Sequence, residues 1–185
     1  MLYTAWVLQL YQIAISDCEL ESDFLSDRVP LTGGLLSDWR NILPRLDVIV
    51  HVQDMGDRRC DRSGWVGVPG SRKWIEGLFV ETSCDILLSE IECMVLMGDG
   101  NTVAVGGGEF AGTRGQAIPL TGFRLRLIGA AASRYVGSYE ATFVDGSRDG
   151  PLAFGTLCAT RDMAPIEAIR ISLEDLAKLD DPPRP

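Results

Sequence analysis

One pattern occurs three times in this chain at nearly constant spacing. Trp74-Ile75-Glu76-Gly77-Leu78-Phe79-Val80, Pro119-Leu120-Thr121-Gly122-Phe123-Arg124-Leu125 and Pro165-Ile166-Glu167-Ala168-Ile169-Arg170-Ile171 start 45 and 46 residues apart. Each has an apolar residue, a polar one, a Gly or Ala, and then apolar residues at alternate positions. Upstream landmarks keep step. Val66-Gly67-Val68-Pro69-Gly70 corresponds to Ala111-Gly112-Thr113-Arg114-Gly115 without a gap, and to Cys158-Ala159-Thr160-Arg161-Asp162 with one residue deleted before Pro165. Met55-Gly56, Asp99-Gly100 and Asp145-Gly146 precede the same three starts by 18, 19 and 19 residues. A unit of this length cannot bury its apolar face alone, so the copies must pack on one another. Pro30-Leu31-Thr32-Gly33 echoes the second copy, so residues 1–45 hold either a degenerate half-repeat or a strand that closes the ring of the others.

Within each unit the apolar period is two, which predicts strands. Ile166, Ala168 and Arg170 are expected on one face, and Glu167, Ile169 and Ile171 on the other. Residues 49–55, 91–97 and 139–144 are apolar or β-branched runs that end at turns. Asp99-Gly100 and Asp145-Gly146 predict type I′ hairpins, pairing 92–97 with 102–105 and 140–144 with 151–154. Pro151 then has to sit on an edge strand or begin its strand. About four short strands per unit in three units give an all-β fold of roughly twelve strands. A β-prism of three sheets is the expected arrangement, with a β-trefoil as the alternative; both close on themselves. The expected divisions are 1–45, a three-repeat domain over 46–173 (46–84, 85–130 and 131–173), and a tail over 174–185. In the tail, Leu173, Leu176 and Leu179 follow helical spacing, with a disordered Pro-rich end beyond.

Composition narrows the partners. Most of the 20 glycines fall between Gly56 and Gly155, as many tight turns require. The formal net charge is −9, and no stretch clusters Lys and Arg as phosphate binding needs. Nucleic acid and an anionic membrane surface are therefore disfavoured, and no apolar run is long enough for membrane insertion. Residues 1–15 are apolar, but no Lys or Arg precedes the run and Gln9 and Gln12 interrupt it, so they make a poor signal peptide. The compartment stays open between cytoplasm and cell surface. Cys18, Cys60, Cys84, Cys93 and Cys158 show no metal-ligand spacing, and buried thiols are expected, with one or two bridges in an exported protein as the alternative.

The repeats resemble a known family. His51-Val52-Gln53-Asp54-Met55-Gly56, a glycine-rich turn and the Ile-Glu-Gly or Ile-Glu-Ala strand are similar to the clostridial hydrophobic W (ChW) repeat. Gly108-Glu109-Phe110-Ala111-Gly112-Thr113-Arg114-Gly115-Gln116 resembles that family's Gly-Glu-x-Ala-Gly-Thr-x-Gly-Gln turn, and the likeness covers residues 46–173. The naming Gly-Trp step is missing: Asp57, Asn101 and Ser147 follow the three hairpin glycines, and Gly64-Trp65 falls later in its unit. The resemblance implies a bacterial recognition module for glycans or proteins and carries no catalytic residues.

The chemistry of the side chains agrees with a binder. His51 is the sole histidine and reads as a strand residue rather than a base. Asp54, Asp57 and Asp61 lack calcium-loop spacing and read as a solvated acidic turn. Gly106-Gly107-Gly108 precedes a turn rather than a helix, so a flexible hairpin is expected instead of a phosphate cradle. Glu76 and Glu167 recur at one repeat position and read as turn-pairing groups rather than a glycosidase pair. No catalytic residue, metal or cofactor is assigned. Sugars are held by an aromatic face and planar polar groups, which selects Trp65 with Arg72, then Glu109, Thr113, Arg114 and Gln116 of the second turn, and Arg161 of the third. The position of Trp65 becomes Phe110 and Leu157 in the other copies, which reads as core substitution. The expected function is non-catalytic recognition of a glycan or bacterial surface polysaccharide. The alternatives are a self-associating protein-interaction scaffold and an accessory domain of a glycosyltransferase.

Overall fold

The computed structural model describes residues 46–60, 64–82 and 85–179. The expectations for residues 1–45, Cys18, Asp61, Cys84 and the Pro-rich end lie outside them. The described residues are all-β, with twelve strands: β1 (Leu46–Val52), β2 (Gly56–Arg59), β3 (Trp65–Gly67), β4 (Ile75–Thr82), β5 (Ile91–Met97), β6 (Thr102–Gly106), β7 (Phe110–Gly112), β8 (Leu120–Leu127), β9 (Tyr135–Phe143), β10 (Arg148–Ala153), β11 (Cys158–Ala159) and β12 (Ile166–Asp175). They form three four-stranded antiparallel sheets, ordered β2-β1-β4-β7 (first), β11-β8-β5-β6 (second) and β10-β9-β12-β3 (third). Each sheet draws three strands from one stretch of chain and its fourth from another. β7 joins β4, β11 joins β8, and β3 reaches β12 at the far end of the sequence.

Alternation explains the core. Val48, Val50 and Val52 of β1, and Ile91, Cys93, Val95 and Met97 of β5, point inward and join one cluster with Tyr139, Phe143 and Ile169 of the third sheet. Phe123 and Tyr139 rings meet at 4.7 Å between centroids, and Tyr139 stacks on Phe154 at 5.6 Å. No helix among the described residues is long and apolar enough to cross a membrane.

The alternation breaks at a corresponding point in every sheet, with consequences for the polar side chains. Pairing steps from His51↔Gly77 to Val52↔Ile75, from Leu96↔Gly122 to Met97↔Leu120, and from Ala168↔Thr142 to Ile166↔Phe143. The skipped residues are Glu76, Thr121 and Glu167. Each is the extra residue of a β-bulge, a device that re-aims a side chain. The expected face of Ile166, Ala168 and Arg170 is corrected accordingly: the bulge shifts parity, Ile166 enters the core cluster, and Ala168 and Arg170 face outward. Just before each bulge, the carbonyl of Trp74, Pro119 or Pro165 accepts the N–H of Gln53, Gly98 or Val144 at 2.9, 2.8 and 2.9 Å.

The first hairpin pairs as expected, whereas the second is corrected: Ala141 and Thr142 pair with Asp149 and Arg148, and Leu152 and Ala153 pair with Tyr139 and Ser138, because the turn closes at Gly146 and β10 starts at Arg148. Both turns differ from type I′. Gly100 donates to the Met97 carbonyl at 2.9 Å and Gly146 to Phe143 at 2.9 Å, so the central pairs are Gly98-Asp99 and Val144-Asp145. Positive φ falls only on the following Gly100 (88°) and Gly146 (87°). That is a type I turn with a glycine bulge, and the aspartates select it. Asp99 and Asp145 carboxylates each accept an N–H two residues ahead, from Asn101 and Ser147, at 2.9 Å. Pro151 lies on β10, an edge strand, beside a register shift.

The tail is also corrected. β12 continues to Asp175 because Leu173 pairs with Gly137 and Asp175 with Tyr135, leaving a helix of only Leu176–Leu179. The Gly106-Gly107-Gly108 turn is close-packed rather than flexible. The Gly107 N–H donates to the carbonyls of Leu88 and Ile91, the Gly108 N–H donates to the Val80 carbonyl, and a Cβ on Gly107 would come within 2.7 Å of the Leu88 oxygen.

Candidate functional site

The outer face of the third sheet gathers a group of ion-paired polar side chains. Trp65 of β3 lies opposite Arg170 of β12, which lies opposite Glu140 of β9. Glu140 is only 4% exposed, and a carboxylate taken from water at that depth is costly unless paired. Here both oxygens are paired: Oε2 accepts Arg148 Nη2 and Oε1 accepts Arg170 Nη2. The two guanidiniums also flank the Trp65 ring, their central carbons 5.6 and 5.1 Å from its centroid. Cation–π contact and ion pairing thus hold both forks in place. Two cations around one carboxylate leave a surplus positive charge. The adjoining cleft, about 300 Å³, is lined by Ser138, Tyr139, Glu140, Arg148, Pro151, Arg170 and Ser172. It offers guanidinium donors and two serine hydroxyls beside a rigid wall.

A second group lies on the first sheet. The Arg114 guanidinium sits 3.7 Å from the centre of the Phe110 ring, and its Nε donates to Asp57 Oδ1 at 3.4 Å. The same oxygen meets His51 Nδ1 at 2.7 Å. The hydrogen bond from His51, then the Arg114 charge, hold the Asp57 carboxyl below the usual carboxylate range. Asp54 is tied to Lys73 Nζ at 2.7 Å, so the aspartates of this turn have protein partners. Among the described residues no three His, Cys, Asp or Glu side chains converge as metal ligands.

The remaining predicted residues build turns. The Glu109 carboxylate accepts the Gly106 N–H at 2.9 Å, closing its own loop. Thr113 donates its N–H to the Glu76 carbonyl at 2.8 Å, and its buried hydroxyl has no hydrogen-bond partner among the described residues. Gln116 N–H donates to Glu76 Oε2 at 2.9 Å. Gly70 and Arg72 N–H donate to Glu167 Oε1 and Oε2 at 2.6 and 3.0 Å. Each bulged carboxylate therefore holds a turn from a distant part of the chain. At the third position the Thr121 hydroxyl reaches the Leu96 carbonyl at 3.4 Å, and the Thr160 side chain closes that turn by accepting the Ala164 N–H at 2.8 Å. Arg161 is exposed.

Trp65 and Arg114 thus lie on different sheets and do not form one site. The reading of Trp65, Phe110 and Leu157 as core is corrected: Trp65 and Phe110 are half-buried on outer faces, and Leu157 is 43% exposed. Sequence reasoning missed Glu140, Arg148 and Arg170. The Asp145-Gly146 hairpin could have placed Arg148 near Glu140, but the approach of Trp65 depends on β3 joining β12, which no local pattern announces. Cys93 and Cys158 are buried thiols, pushed up to about 12 by desolvation, whereas Cys60 is exposed.

Scans against protein-family models, curated proteins and solved structures gave no match.

Proposed function

We propose that this chain is a non-catalytic binding module for a glycan, built as a prism-like ring of three ChW-like repeats. The exchange of β3, β7 and β11 onto β12, β4 and β8 supports the ring, because each 45–46-residue unit lends one strand to another. The bulges at Glu76, Thr121 and Glu167 support the repeat, because they recur at one position of the unit.

The observation that carries the reading is the Glu140 carboxylate gripping Arg148 and Arg170 around Trp65. Guanidinium forks fixed before the ligand arrives lose little entropy on binding, and their remaining N–H groups match pairs of sugar hydroxyls. Ser138 and Ser172 add hydroxyl partners along the cleft. Glu76 and Glu167 are engaged by turn N–H groups, which supports a binding role for the fold over a carboxylate-pair hydrolase.

A glycan array probed with the protein tests this reading. Binding to a defined set of sugars is expected, with a loss of about tenfold or more in affinity for Trp65→Ala, because the guanidiniums lose their wall. No binding to any sugar, together with a stable oligomer by light scattering, favours the self-associating scaffold instead.

A further inference from the structure

The outer faces of the second and third sheets share a register but not a charge balance. Met94 pairs with Arg124 in the second as Glu140 pairs with Arg170 in the third. Both members of the pair lie 46 residues apart between the two sheets. In the third sheet the carboxylate opposite the arginine completes an ion pair. In the second, methionine stands at that place. Arg124 is half-buried, and among the described residues no hydrogen-bond or ion-pair partner meets its guanidinium. The neighbouring carboxylates are engaged. Glu92 Oε2 accepts Arg126 Nε at 2.8 Å, and Glu109 Oε2 accepts the Gly106 N–H at 2.9 Å. These residues line a cleft of about 480 Å³ together with Met94 and Ala104.

We infer that this cleft binds a sugar carrying a carboxylate, a uronic acid unit, whose carboxylate takes the place on Arg124 that Glu140 has on Arg170. A partly desolvated guanidinium without a counter-ion is a strong partner for a bidentate acid. The remaining oxygens of Glu92 and Glu109 accept ring hydroxyls, which a bare carboxylate such as acetate does not supply. Met94 and Ala104 give the ring an apolar floor. The volume suits one or two sugar units. This inference rests on the second sheet alone and stands or falls independently of the Trp65 site.

The test follows the methyl signal of Met94 in protein labelled at methionine methyls, titrated with galacturonate, glucuronate, their methyl esters, galactose and acetate. A saturable shift is expected with a uronate, and about tenfold weaker binding with its ester and with acetate. Arg124→Met should abolish uronate binding. Met94→Glu should do the same while keeping Arg124, because the new carboxylate satisfies it internally; binding by that variant is followed on the ligand's signals. Trp65→Ala should leave uronate binding intact. Equal affinity for acid and ester overturns the inference, as does acetate binding as tightly as uronate, or no Met94 shift with any ligand. Undiminished uronate binding by Met94→Glu overturns it as well. The acid-against-ester comparison needs only the wild-type chain, so it decides the matter even if a variant does not fold.

Discussion

Replacing Glu167 by alanine is expected to lower the unfolding free energy by about 2–3 kcal/mol. The side chain is only 3% exposed and sits at a β-bulge, aimed at a turn 95 and 97 residues earlier in the chain. Its two oxygens accept the N–H groups of Gly70 and Arg72, hydrogen bonds of the charge-assisted kind. Truncation leaves both donors without a protein partner and removes a tie between the first and last parts of the described chain. Glu167→Gln should fall between, since an amide has one acceptor oxygen and its NH₂ opposes the second donor. Thr121→Val at the corresponding bulge should cost less than about 1 kcal/mol, because its single hydrogen bond is 3.4 Å long. Denaturant unfolding of the three variants measures the ranking. A Glu167→Ala loss no larger than that of Thr121→Val contradicts the assigned role.

A larger effect is expected where a strand joins a sheet built from another stretch of chain. Gly67 in β3 has φ 93° and Gly112 in β7 has φ 111°. An alanine methyl would overlap the Glu167 carbonyl oxygen at Gly67, and the Glu76 carbonyl oxygen at Gly112. The left-handed conformation alone costs about 1–2 kcal/mol for an L-residue. Overlap with backbone, which cannot rotate away, raises the expected loss for Gly67→Ala or Gly112→Ala to about 4 kcal/mol or more. Gly70→Ala serves as the control. Its φ is also positive, at 78°, yet nothing lies within 4 Å of the added methyl, so only the conformational cost of about 1–2 kcal/mol applies. Thermal and denaturant unfolding should separate the two classes by about 2 kcal/mol or more. Equal losses at Gly67 and Gly70 would mean that β3 is not seated against β12.

These variants fall where the sequence was least informative. The hairpins could be read because their signals are local: an aspartate accepting an N–H two residues ahead, then a glycine that accepts left-handed φ. The bulges could not. Ile-Glu-Gly and Ile-Glu-Ala look like uninterrupted alternation, and only the pairing register shows that the glutamate is skipped. For the same reason the two carboxylates were legible as turn-pairing groups by recurrence, while the turns they hold, 40 to 97 residues away, were not. The helix expected around Leu173 lost to strand pairing with Gly137, a tertiary contact that local spacing cannot weigh. The candidate site was half legible. Trp65 could be chosen as an aromatic anchor, but Glu140, Arg148 and Arg170 gather beside it only after β3 joins β12. Arg72, Glu109, Thr113 and Gln116 have the residue types of a binding turn, and their contacts show those turns being built.

The proposed ligand face is the third-sheet surface around Trp65. Its most direct test is to map amide and indole chemical shifts while titrating the protein with the best sugar from the glycan array. Changes are expected to concentrate at Trp65, Ser138, Glu140, Arg170 and Ser172, with the turn holding Arg114 and Gln116 unaffected. Changes centred on that turn, with the Trp65 face unmoved, would contradict it.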